Sequence, residues 1–113
     1  MEKANLKSYI TYDSNQFTKR IVFKDQSSTA FVLNFQPGQT LPAHKHPGST
    51  VYLQVLTGSG EFTIDNQTVK VEENDLLAVE EDEELAFANT GEQLTSLYVV
   101  LTKIPNEAYA KDI

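Results

Sequence analysis

Apolar and polar residues alternate along most of this chain in short stretches, with turn residues between them. In TVYLQVLTG, Val51, Leu53 and Val55 fall on one face of an extended segment, and Tyr52, Gln54 and Leu56 on the other. Successive strand side chains point to opposite sides, so this reads as a half-buried strand. GEFTIDNQTVKV turns back on itself. Phe62 and Ile64 share a face, Asp65-Asn66-Gln67 makes a polar turn, and Val69 and Val71 return, which is the pattern of a hairpin. ELAFAN alternates with Leu85 and Phe87 on one side. DLLAV is a continuous apolar run and is expected to be buried on both faces. AFVLNF reads as a strand stopped by Pro37-Gly38, TKRIVFKD as another, and TSLYVVLT as a last one closed by Pro105. No helical period runs through the body of the chain, and the tail from Asn106 to Ile113 has room for one short helical turn. Roughly seven to nine short strands with turns between them predict an all-β sandwich or barrel. A lone sheet would leave its edges and one apolar face open.

Composition narrows the class without changing that picture. A length of 113 residues suits one domain with one core, and 40% hydrophobic residues is too many for a disordered chain. No apolar run approaches the ~18 residues of a membrane helix. The first residues, MEKANLKSYITYDSN, carry no apolar signal-like stretch. There is no cysteine, which excludes disulfides, thiolate zinc sites and a cysteine nucleophile. A cytoplasmic protein is the expectation. The net charge of −7 is unevenly spread. Residues 1–57 hold six Lys/Arg against three Asp/Glu, and residues 58–113 hold three against thirteen. The acidic half repels nucleic-acid phosphates. The basic half has no Lys/Arg cluster longer than Lys19-Arg20. Neither nucleic acid nor a membrane is an expected partner.

The candidate chemistry lies in PAHKHPGSTVYLQV, which holds the chain's two histidines, His44 and His46. Two imidazoles at i and i+2 in extended backbone project to the same side and reach one ion. Around them the order is Gly38, five residues, His44-Lys45-His46, four residues, Val51, six residues, Gly58. This resembles the first motif of the cupin superfamily: a glycine, the His-x-His pair, a glutamate and a closing glycine. The second cupin motif aligns with Asn74, Glu80, Asp82, Leu85 and Asn89, where only the asparagine is kept. The resemblance covers roughly residues 30 to 101. It implies a double-stranded β-helix, or jelly-roll barrel, forming a single domain over residues 1–113. N-terminal strands would pack on the barrel, a short C-terminal tail would follow, and a pocket would open between the sheets. It also implies a homodimer, with the face of Tyr52, Gln54 and Leu56 as the surface to be covered.

The resemblance further implies a metal site of three histidines and one glutamate, and this chain departs from it. Val51 stands at the glutamate position and Leu85 at the last histidine position; Thr50 is no carboxylate either. Two imidazoles alone make an open, weak site, because firm zinc sites use three or four protein ligands. The cofactor expectation is therefore none, or a weakly held divalent metal such as zinc, nickel, copper, iron or manganese on His44 and His46. The first functional reading is a binding module for a small, partly apolar ligand in a pocket of Phe35, His44, His46, Val51, Leu85 and Phe87. The alternatives are a metal-dependent enzyme of dioxygenase or isomerase type using the two histidines, and a structural dimerisation module. Five acids from Glu80 to Glu84 read as a solvated loop that also rims the pocket mouth near Leu85. Asp75 and Asn89 read as turn and capping residues. There is no Ser-His-Asp arrangement and no phosphate-cradling glycine loop.

Overall fold

The protein is described by a computed structural model covering residues 1–103. A single 3₁₀ turn, Leu6–Tyr9, precedes nine strands. These are β1 (Thr18–Lys24), β2 (Ser28–Phe35), β3 (Thr40–His44), β4 (Ser49–Thr57), β5 (Ser59–Ile64), β6 (Gln67–Glu72), β7 (Leu76–Val79), β8 (Leu85–Ala88) and β9 (Thr95–Lys103). They form a five-stranded sheet of order β1-β2-β9-β4-β7 and a four-stranded sheet of order β3-β8-β5-β6. All the pairings are antiparallel. The expected all-β double-sheet fold is present. The tail from Asn106 and the stop at Pro105 lie outside the described residues.

Alternation sets which side of each strand is buried. Val51, Leu53 and Val55 of β4 point into the core, with Leu97 and Val99 of β9 beside them. From the opposite sheet come Phe62, Leu85 and Phe87. Four phenylalanines run through this core in sequence of contact. Phe17 stacks on Phe35 at 5.2 Å, Phe35 meets Phe87 at 4.9 Å, and Phe87 meets Phe62 at 4.7 Å. Tilted and offset ring pairs at such distances add to the stabilisation from burial itself.

Three expectations need correction. DLLAV is not buried on both faces: Val79 is buried and Leu77 packs on the core, but Leu76 is 72% exposed. The reason is that β7 is an edge strand of an antiparallel sheet, so one of its faces looks outward. The β5–β6 turn is two residues long, Asp65-Asn66, and Gln67 already belongs to β6. Both turn residues have positive φ (48° and 68°), which matches the twist of the flanking strands. The third is β3, Thr40–His44, a strand beyond those that the alternation marks.

The outer face of β2 carries a device that alternation does not reveal. Asn34 is fully buried there beneath the N-terminal segment. Its Nδ2 donates to the Tyr9 carbonyl at 2.9 Å and to Thr18 Oγ1 at 3.1 Å. Its Oδ1 accepts from Ser96 Oγ at 2.7 Å, and the Tyr12 hydroxyl completes the chain at Ser96. Every polar atom of the Asn34 side chain is satisfied, so the network ties residues 9–18 to the sheet without a desolvation penalty.

Candidate ligand pocket

The site begins with an irregularity in β3. Leu41 pairs with Phe87 and His44 with Leu85, so three steps along β3 match two along β8. This is a bulge at Pro42-Ala43. Without it, side chains three apart would face opposite sides of the sheet; with it, both Leu41 and His44 face inward. The bulge also turns the Pro42 carbonyl toward His44 Nδ1, 2.7 Å away. His46 follows the strand and opens the Pro47-Gly48 turn, which is closed by Ser49 N–H donating to the His46 carbonyl at 3.0 Å. That turn delivers the chain into β4, so Val51 arrives beside the two imidazoles.

Together these elements enclose a cavity of about 230 Å³ between the sheets. Its deep wall is Val51, Leu53, Leu85 and Val99, each almost fully buried. Phe17, Phe31, Leu33 and Leu41 complete the apolar lining. Among the described residues its polar groups are three: the half-buried His44 and His46 and the exposed Lys19 at the mouth. His44, His46, Val51 and Leu85 are thus brought together as the two motifs implied. Phe35 and Phe87 are not part of the lining; they lie in the adjacent core, where Phe35 stacks on the lining residue Phe17. None of Glu80 to Glu84 lines the cavity. That loop is fastened instead to the β5–β6 turn, through Glu84 N–H donating to Asp65 Oδ1 at 2.8 Å. Gln54 lies on the outer face of β4, away from the histidines.

Lys19 belongs to no motif, and sequence reasoning misses it. It pairs with Leu33, whose side chain is in the core, so it occupies an inward position of edge strand β1. Its Nζ stands over the Phe31 ring, 4.4 Å from the centroid. The period-two row Phe17, Lys19, Ile21 was the available signal.

The two imidazoles are joined to each other. Their Nε2 atoms are 2.8 Å apart and their rings meet edge to face. Since the Pro42 carbonyl only accepts, His44 Nδ1 carries a proton. In the neutral pair, His46 Nε2–H then donates to His44 Nε2. Burial first, then the positive charges of His44 and Lys19, hold the His46 pKa below the ordinary imidazole value.

The fit to a metal is partial. The converging Nε2 atoms and the Pro42 carbonyl behind His44 match the way metal-bound histidines are oriented. Two nitrogens on a tetrahedral zinc sit about 3.4 Å apart, so the pair would have to open. Among the described residues no group of three or more His, Cys, Asp or Glu side chains is placed to hold an ion. Val51 and Leu85 fill the positions where further ligands would approach. These residues do not build a closed metal centre.

The comparisons with known proteins agree with this architecture. The model of the cupin domain family matches residues 31–101, and this chain belongs to that family. A protein from Thermus thermophilus shares its structure with a TM-score of 0.86 at 21% identity, over 93% of this chain and 100% of the other. A double-stranded β-helix protein from Klebsiella pneumoniae gives 0.85 at 17% identity, covering 91% and 90% of the two chains. A predicted oxalate decarboxylase from Thermotoga maritima gives 0.66 at 16% identity, covering 84% and 100%. At these identities the likeness establishes the fold. No curated protein matches the chain.

Proposed function

We propose that this protein is a small-molecule binding module whose ligand is small and partly apolar and is held without a tightly bound metal. One observation carries the reading: Val51 and Leu85, the residues at the vacated ligand positions, form the deep wall of a cavity with eight apolar and three polar lining residues. Apolar walls with a few convergent polar groups describe a ligand pocket. His44 and His46 orient the ligand at the mouth, and any divalent metal they hold is weak. The cysteine-free chain is read as a cytoplasmic protein. The test is a methyl-resolved NMR screen of small aromatic and aliphatic compounds with a chelator present. The reading expects binders to move the methyl signals of Val51, Leu53, Leu85 and Val99. It fails if no compound moves them while zinc or nickel alone does.

That second outcome would favour a metal-dependent enzyme, the reading supported by the Nε2 convergence and the Pro42 carbonyl behind His44. A homodimer is part of the proposal in either case. The outer face of the five-stranded sheet exposes Tyr52 and Leu76 around a groove that also includes Gln54, Tyr98 and Val100. Among the described residues this groove holds no charged side chain, so two copies of a chain with net charge −7 meet there without like charges from these residues in contact.

A further inference from the structure

We propose that the ligand is a small monocarboxylate, its apolar body in the cavity and its carboxylate on Lys19 at the mouth. The inference rests on the pocket reading above and adds the charge of the occupant.

In the neutral histidine pair, His46 Nε2–H is given to His44 and His44 Nδ1–H to the Pro42 carbonyl. Both imidazole protons are therefore committed within the protein. Among the described residues the Lys19 ammonium is the remaining polar group of the lining, and it brings three donors and a full charge. Among the described residues no Asp or Glu lines the cavity to neutralise it, and the acidic loop from Glu80 to Glu84 contributes nothing to the lining. An inward-facing lysine also protects an edge strand from pairing with other chains. That role needs the charge at the edge; it does not need an apolar cavity beneath it.

Size and wall chemistry choose among anions. A cavity of ~150 Å³ takes benzene, so this one takes a body of about nine non-hydrogen atoms. Eight apolar lining residues make burial of a wholly polar anion costly, which disfavours phosphate or a dicarboxylate. One cation at the mouth and an apolar interior suit an anion with a single charged end. A carboxylate there forms charge-assisted hydrogen bonds with Lys19.

Benzoate and benzamide fit within that size, have nearly the same shape, and differ in charge. Each is titrated into the full chain with a chelator present, and binding is read from the lining methyl signals. The wild type is expected to bind benzoate more tightly than benzamide. Lys19→Met keeps an unbranched side chain and removes the charge, and is expected to weaken benzoate about tenfold while leaving benzamide unchanged. Lys19→Arg, which keeps the charge, is expected to restore most of the benzoate affinity. Equal binding of the two probes by the wild type, or benzoate binding indifferent to Lys19→Met, overturns the carboxylate assignment and leaves the pocket standing. If neither probe moves the lining methyl signals, the pocket reading fails and the assignment with it.

Discussion

The proton on His44 Nδ1 is committed to the Pro42 carbonyl, and this fixes what His46 does. In the neutral state His46 is the donor, and its ring sits partly buried beside His44 and Lys19. Both burial and the neighbouring positive charge favour the neutral ring, so its folded pKa lies below that of the unfolded chain. Above the ordinary imidazole value of about 6.5 the ring is neutral in both states, and its contribution to stability is fully present. As pH falls, the unfolded chain takes up the proton first. The contribution is lost as pH drops through the lowered folded value. An NMR titration of the His46 ring in the presence of a chelator is expected to show a midpoint below about 6.5. A midpoint at or above that value would contradict the geometry described for the pair. This much was not legible in the sequence. The i and i+2 spacing put both rings on one side, but the bulge at Pro42-Ala43 decides that this side is the inner one. Lys19 was hidden for a related reason. A lone lysine in TKRIVFK carries no motif; the period-two row Phe17, Lys19, Ile21 hints at its face, and its pairing with Leu33 shows that it faces inward.

At the scale of elements, strands with one wet and one dry face were legible. The alternation in β4 and β8 placed Val51, Leu53, Leu85 and Phe87 on the buried side, where they are. The apolar run of β7 misled because run length does not tell a central strand from an edge one. β3 was not legible as a strand, since TLPAH has one large apolar residue and a proline. Phe35 and Phe87 were assigned to the pocket because alternation gives the face of a residue and not its depth between the sheets. The first motif's two glycines show how position alters a shared requirement. Both have positive φ, 87° at Gly38 and 81° at Gly58. Nothing stands within 4 Å of a Cβ added at Gly38, whereas the Thr95 side chain and the Leu94 carbonyl occupy that place at Gly58. Gly38→Ala is expected to cost about 1 kcal/mol, from the backbone alone. Gly58→Ala adds a steric conflict with backbone and should cost more than about 2 kcal/mol. Urea denaturation of the two variants checks the order; equal costs would mean that the β4–β5 junction relaxes freely.

For the whole molecule, the two sheets place an apolar cavity on the inside and an apolar groove on the outside. The groove leads to an expectation of dimers in light scattering at micromolar concentration. Leu76→Glu, at a position 72% exposed, should yield monomers with the fold unchanged. A monomeric wild type would count against the covered face. The cavity leads to the central claim, that this cupin holds its ligand by apolar walls at a place where a metal centre is incomplete. Two neutral imidazoles supply no negative charge to offset the dehydration of a divalent ion, and Val51 and Leu85 keep the remaining positions dry. The most direct test is a calorimetric titration of nickel or zinc into untagged native protein and into the Val51→Glu, Leu85→His double variant, its fold verified by circular dichroism. The account predicts weak, substoichiometric binding by the native protein and a gain of orders of magnitude in the variant. One full equivalent of tightly held metal in the native protein, or no gain in the folded variant, would contradict it.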